Sequence, residues 1–259
     1  MDMDIRREIL RNVILCQSLE PLGKKPGLTS RYEDSSPGAK LEYFIISGVN
    51  CSWNFYDLVD RILKEGRQPE CIFEYAFEAQ NASVRNRLGS KVNYGQIMLL
   101  TPLITAQALE YLETGTFDDV EAILERTAEV LRNTTEKDVE YLDRFIRLGY
   151  ELSARHHERL GGKRQMRDWP LRGKYPNVWE SLHDFMYHHL AREMAESYPN
   201  ALRAYRFLLH NLEEGILPAS DLIYRLLVTE VNRPDFVADV IACGIYLVLT
   251  RHPEEVLFA

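Results

Sequence analysis

The stretch Ile97-Met98-Leu99-Leu100-Thr101-Pro102-Leu103-Ile104-Thr105-Ala106-Gln107-Ala108-Leu109-Glu110-Tyr111-Leu112 decides the fold. It is almost continuously apolar and far longer than an ordinary strand of about 5–6 residues. It also carries Ala, Leu, Gln and Glu, which favour a helix over a strand. We read it as a buried helix, with Pro102 either kinking it or sitting in its early turns. Outward from this segment the pattern stays helical. Ile5, Ile9, Val13, Ile14 and Leu19 fall near one face over 4–20. A second helix is expected over about 40–65, ending before Gly66, and a third from near Pro69 to about Leu88. Thr116, with Asp118 and Asp119 behind it, reads as the cap of a helix reaching Leu131. Thr135, with Asp138 three residues on, reads as the cap of a helix passing Leu152. Helices follow over about 177–197, 201–211, 219–229 and 234–250. The expectation is an all-α, single multi-helix bundle domain spanning residues 1–259.

Composition narrows the function classes. The net charge of -8 argues against a nucleic-acid backbone binder, yet permits a locally basic pocket for a nucleotide. Cys16, Cys51, Cys71 and Cys243 form no CxxC pair, so a zinc knuckle or thioredoxin-type site is not expected. The charged opening MDMDIRRE does not resemble a signal peptide, and no apolar run reaches the length of a membrane span. A cytoplasmic protein without nucleic-acid or membrane partners is expected. Its Leu- and Tyr-rich helical surface leaves a homodimer open.

Four polar constellations interrupt the helices. The first is Gly23-Lys24-Lys25-Pro26-Gly27-Leu28-Thr29-Ser30-Arg31, inside a long loop from Pro21 to Gly38. Backbone amides of such a turn can cradle an anion while Lys and Arg add charge; the plainer reading is a solvated basic turn. The second is Arg85 to Gln96, entering the apolar helix through Gly89-Ser90-Lys91-Val92-Asn93-Tyr94-Gly95. A helix N-terminus favours phosphate, and the glycines allow close backbone approach; the plainer reading is a turn capped by Asn93. The third is the ladder Glu180, Asp184, His188, Arg192, spaced four apart on one helix face. It can hold Mg²⁺ through carboxylates or set a phosphate against Arg192, or it is an exposed ion-pair network. The fourth is the basic segment 163–174, either a lid over a polyanion or a solvated loop.

These segments, in this order, resemble the triphosphoribosyl-dephospho-CoA synthase family over about residues 10–245. Lys25-Pro26-Gly27 matches its KPG motif, and Gly89-Ser90-Lys91-Val92-Asn93-Tyr94-Gly95 is similar to its central Gly/Asn motif, with Lys91 in place of an Asn. Pro102-Leu103 continues that likeness. Arg192-Glu193-Met194-Ala195-Glu196-Ser197-Tyr198 resembles an Arg-Asp-x-Ile-Ala-x-x-Tyr segment, and Pro234-Asp235 resembles a Pro-Asp-Thr segment in which Phe236 replaces Thr. The resemblance implies an all-helical transferase of cofactor biosynthesis. It would move the triphosphoribosyl part of ATP onto the ribose 2′-hydroxyl of dephospho-CoA, or a related phosphorylated acceptor, and release adenine. The alternative is a repurposed helical protein that binds a nucleotide or another phosphorylated ligand without chemistry. On the first reading Lys25, Gly27, Arg31, Gly89, Ser90, Lys91, Asn93, Gly95 and Arg192 face ATP. Asp184, Glu193 and Asp235 supply acid–base or electrostatic catalysis, with Asp184 and Glu193 also holding Mg²⁺.

Overall fold

The structure is a computed structural model that describes residues 4–35, 39–85, 91–159 and 175–252. Every regular element among them is helical. The α-helices are α1 (Ile5–Leu19), α2 (Leu41–Glu65), α3 (Phe73–Ser83), α4 (Tyr94–Thr114), α5 (Val120–Arg132), α6 (Glu136–Arg159), α7 (Val178–Asp184), α8 (His189–Ala195), α9 (Pro199–His210), α10 (Ile216–Val231) and α11 (Pro234–Arg251). Short 3₁₀ turns at Glu20–Leu22 and Leu212–Glu214 extend α1 and precede α10. No helix among the described residues is long and apolar enough to cross a membrane.

The apolar segment is indeed a helix. α4 lies at the centre with α11, and both are buried around almost their whole circumference. α1, α2, α3 and α5 pack against α4, while α1, α9 and α10 pack against α11. Leu99, Leu100, Leu103, Ile104, Ile241, Ile245 and Leu249 are fully enclosed. Burying a Leu or Ile side chain contributes roughly 1.5–3 kcal/mol, so these two helices carry much of the apolar driving force. Pro102 sits well inside α4 rather than in its first turn. Local donors surround it: the Thr101 hydroxyl bonds the Ile97 carbonyl at 2.8 Å, and the Tyr198 hydroxyl bonds the Leu99 carbonyl at 2.7 Å. A polar spine also crosses the core, where the Tyr246 hydroxyl donates to Gln107 Oε1 and Gln107 Nε2 donates to the Phe117 carbonyl. All four cysteines are buried and unpaired.

Capping chemistry refines several boundaries. Asp119, not Thr116, caps α5, accepting the Ala122 N–H at 3.0 Å; the Thr116 hydroxyl instead meets Thr114. Asp138 does accept the Thr135 N–H at 3.0 Å as expected of a capping pair. It also accepts the Phe73 N–H at 2.9 Å, tying the start of α3 to the start of α6. The larger correction concerns the helix expected over 177–197. The chain breaks at Phe185–His188 into α7 and α8, and His188 is extended at φ -90°, ψ 124°. Arg192 Nε donates at 3.0 Å to the Met186 carbonyl inside the break. The four-apart ladder from Glu180 to Arg192 therefore does not exist as one helical face.

Candidate functional site

A cavity of about 300 Å³ lies where α4, α8 and α11 begin. The 3₁₀ turn after α1 contributes Glu20 to it, the chain at 28–35 contributes Thr29, and α6 contributes Tyr150. The N-termini of the two central helices thus open into one space. Unpaired N–H groups and helix dipoles there favour negative charge.

The entry to α4 is built with little slack. Asn93 is left-handed at φ +55°, a conformation Asn tolerates better than most residues, and its Nδ2 donates to the Phe44 carbonyl at 3.1 Å. Its Oδ1, and Oε1 of the neighbouring Gln96, accept no hydrogen bond among the described residues although both are buried. Lys91 Nζ sits 3.8 Å from the centre of the Tyr94 ring and 5.6 Å from that of Tyr150. The Tyr94 ring stacks on Phe145 at 4.6 Å and fills the space left by the absent side chain of Gly149. Gly95 has a similar role in the first turn. A Cβ at this position would collide with the carboxylate of Asp239, which lies against the Gln96 backbone N–H. The acidic group that meets this helix start is one of the protein's own carboxyls.

Charges of both signs meet around the cavity. Burial, reinforced by Asp235 and Glu20, pushes the Asp239 carboxyl well above the usual carboxylate range, while Lys91 and the Gln96 N–H oppose the shift. Burial, with Arg233, His189 and Lys91, lowers His188 to about 4, so its imidazole is neutral at pH 7. Arg233 Nε stands 3.8 Å from Asp235 at the mouth. Glu20 accepts from Gln96 Nε2 at 3.4 Å through one oxygen and pairs with Lys25 at 2.9 Å through the other.

The described residues singled out from sequence separate into three groups. Lys91, Asn93, Gly95 and Asp235 line the cavity. Lys25 lies just behind its wall: 1% exposed, it is held by the Glu20 carboxylate and by the Glu20 carbonyl. No phosphate reaches its ammonium without breaking that pair. The remaining described positions lie elsewhere. Gly27 is an exposed turn at φ +81°, and Arg31 is exposed, stacked 4.9 Å from the Tyr32 ring. Arg192 is exposed and bonded to Met186, and Asp184 is exposed and accepts the Tyr175 hydroxyl at 2.6 Å. Glu193 is buried with both oxygens engaged, one by the Ala201 N–H at 2.8 Å and one by Asn200 Nδ2 at 2.7 Å. It caps α9. Gly89, Ser90 and the basic segment 163–174 lie outside the described residues.

Asp184 and Glu193 do not make a magnesium pair: Asp184 is exposed, whereas Glu193 is enclosed and each of its oxygens already accepts from the first turn of α9. Among the described residues no three His, Cys, Asp or Glu side chains are grouped to hold a metal ion. Sequence reading also missed cavity groups. Asp239 follows Asp235 by one helical turn, a signal obscured because 234–250 reads simply as an apolar helix. Glu20 was hidden before a Pro, and Arg233 before another. His188, expected on the ladder face, lies at a cavity wall.

Residues 7–235 match the family described as ATP:dephospho-CoA triphosphoribosyl transferase, CitG. No curated protein matches the chain. Among solved structures, a protein of Archaeoglobus fulgidus provisionally assigned as a triphosphoribosyl-dephospho-CoA synthase is similar in fold, with a TM-score of 0.50 and 18% identity over 80% of this chain and 98% of that one. With most of its length matched and an all-helical architecture, the chain belongs to the ATP:dephospho-CoA triphosphoribosyl transferase family.

Proposed function

We propose that the protein transfers the triphosphoribosyl group of ATP to the ribose 2′-hydroxyl of dephospho-CoA, or of a related phosphorylated acceptor, and releases adenine. The observation that supports this reading is the cavity at which cationic side chains, the starts of α4, α8 and α11 and several carboxyl groups meet. Breaking an N-glycosidic bond builds positive charge on the sugar beside an anionic tail, and a site for it needs both signs within a few ångströms. Lys91 and Arg233 are the groups suited to the triphosphate. Asp235 is suited to the sugar cation. Asn93 and Gln96 carry buried acceptor oxygens that a hydroxyl or amino group of the substrate would satisfy after a small side-chain adjustment. Magnesium enters this reading as the companion of the triphosphate, part of the substrate. Lys25 acts through Glu20 rather than by touching phosphate.

Incubation with magnesium, ATP and dephospho-CoA, followed by chromatography of the bases and nucleotides, tests the proposal. Free adenine with a product heavier by a triphosphoribosyl group is expected. ADP or AMP as the nucleotide product would replace glycosyl transfer by phosphoryl or adenylyl chemistry. Nucleotide binding without turnover would instead support the reading of a repurposed ligand-binding protein.

A further inference from the structure

We propose that Asp239 is the catalytic base of this cavity, taking the proton from the hydroxyl that attacks C1′ of the nucleotide. This rests on the triphosphoribosyl-transfer reading and adds to it the group that moves the proton.

Three features of the structure converge on this residue. Asp239 lines the cavity and is partly accessible from it. It is held before any ligand arrives, since its carboxylate lodges against the bare Cα of Gly95 and beside the Gln96 N–H. A base fixed in this way avoids the entropic cost of being positioned during reaction. It also keeps acceptor capacity. Among the described residues no side chain donates a hydrogen bond to it or pairs with it, in contrast to Glu193, whose two oxygens are both occupied.

The charged and titratable groups around it set its proton affinity. Asp235 and Cys243 face it from its own helix, Glu20 from the 3₁₀ turn, Lys91 from the loop before α4, and Tyr94 from α4. Burial and the two acidic neighbours raise its affinity for a proton, while Lys91 and the Gln96 N–H favour its ionised form. A base works best when its proton affinity is lifted toward the working pH. In the reaction the bond from C1′ to N9 breaks and its electron pair leaves with adenine. A bond forms between C1′ and the acceptor oxygen. The hydroxyl proton passes to the Asp239 carboxylate and then to a ring nitrogen of the departing adenine, which restores the base.

The experiment measures adenine release from ATP and dephospho-CoA across pH for the full chain, Asp239→Asn, Gly95→Ala and the double variant. Asn at 239 keeps an acceptor oxygen for the Gln96 N–H, so the start of α4 retains its partner. We expect kcat to fall 10²–10⁴-fold in Asp239→Asn, as loss of a general base does. The ascending limb of the pH profile should disappear with it. Gly95→Ala should reproduce most of this loss by pushing the carboxylate away without removing its charge. Little further loss is expected in the double variant, because both changes remove one function. Adenine release by Asp239→Asn within tenfold of wild type, with its ascending limb intact, would overturn the inference and leave the transfer reading standing. No adenine from the wild type would overturn both. If these variants do not fold, Asp239→Glu decides: a displaced carboxylate should lower kcat and shift the ascending limb, whereas a wild-type rate and limb would overturn the inference. A flat wild-type profile without a solvent deuterium effect on kcat would overturn it as well.

Discussion

Asp239 and Glu193 are two carboxylates with similar local surroundings and different consequences. Each meets backbone N–H groups at the start of a helix, and burial raises the proton affinity of both. Glu193 is 1% exposed, and protein donors consume both of its oxygens. Asp239 faces a cavity and meets the Gln96 N–H while the rest of its carboxylate stays available. A perturbed carboxylate thus points to chemistry only where acceptor capacity remains and a substrate can reach it. The region around α7–α8 is built for closure; the junction of α4 and α11 is built around a space.

The sharpest break between the two comes from removing each in turn. Asp239→Asn is expected to cost 10²–10⁴-fold in turnover while the thermal midpoint changes by only a few degrees, measured by adenine release and by circular dichroism. Lys25→Met tests the residue just behind the cavity wall. Stranding the buried Glu20 carboxylate should cost about 3–5 kcal/mol in urea unfolding, and the paired Lys25→Met/Glu20→Gln change should recover most of it. Failure of the pair to recover would mean that Lys25 is not mainly a partner of Glu20. Glu193→Ala should cost about 2–4 kcal/mol by leaving the Ala201 N–H and Asn200 without their acceptor, with turnover per folded molecule largely kept.

The pH dependence of stability separates Glu193 further. Its carboxyl is raised from 4.5 to about 7 in the folded chain by burial. A raised folded value favours the native state most at low pH, and that contribution is lost as pH climbs from about 4.5 through about 7. Glu193→Gln should flatten this part of the curve by about 3 kcal/mol relative to wild type, read as the difference between two denaturation series. His188 works in the other direction. Its value is lowered to about 4, so its contribution is present above 6.5 and is lost as pH falls toward 4. The difference between the two series removes it, because both chains carry His188. The smallest effect is expected at the exposed Asp184. Asp184→Asn weakens one surface contact with Tyr175 and should change stability by less than about 0.5 kcal/mol.

Much of the fold was legible. α4 announced itself because a long apolar run containing Ala, Gln and Glu fits no ordinary strand, and Gly66 does end α2 in a left-handed cap at φ +67°. The α7–α8 region misled because periodicity is blind to a break that keeps helical spacing on both sides. Phe185 to His188 carry no Pro or Gly to mark it. The candidate site was half legible. Polar residues before an apolar helix point to a helix N-terminus, and Lys91, Asn93 and Gly95 do meet Asp235 there. The sequence could not say why Gly95 must be glycine. The sequence points to close approach of an anion there, and the group that approaches is the carboxyl of Asp239 from a helix more than a hundred residues away.

Local chemistry in the chain was enough to set its helical class and most of its helix ends. Those features depend on spacing, caps and composition within a few turns of chain. Which carboxylate lies free at the cavity, which is spent as a cap and which lysine is locked away all depend on packing between distant helices. Burial and hydrogen-bond saturation are properties of that packing, so the chemical role of an acid or a lysine emerges only when its neighbours in space are known.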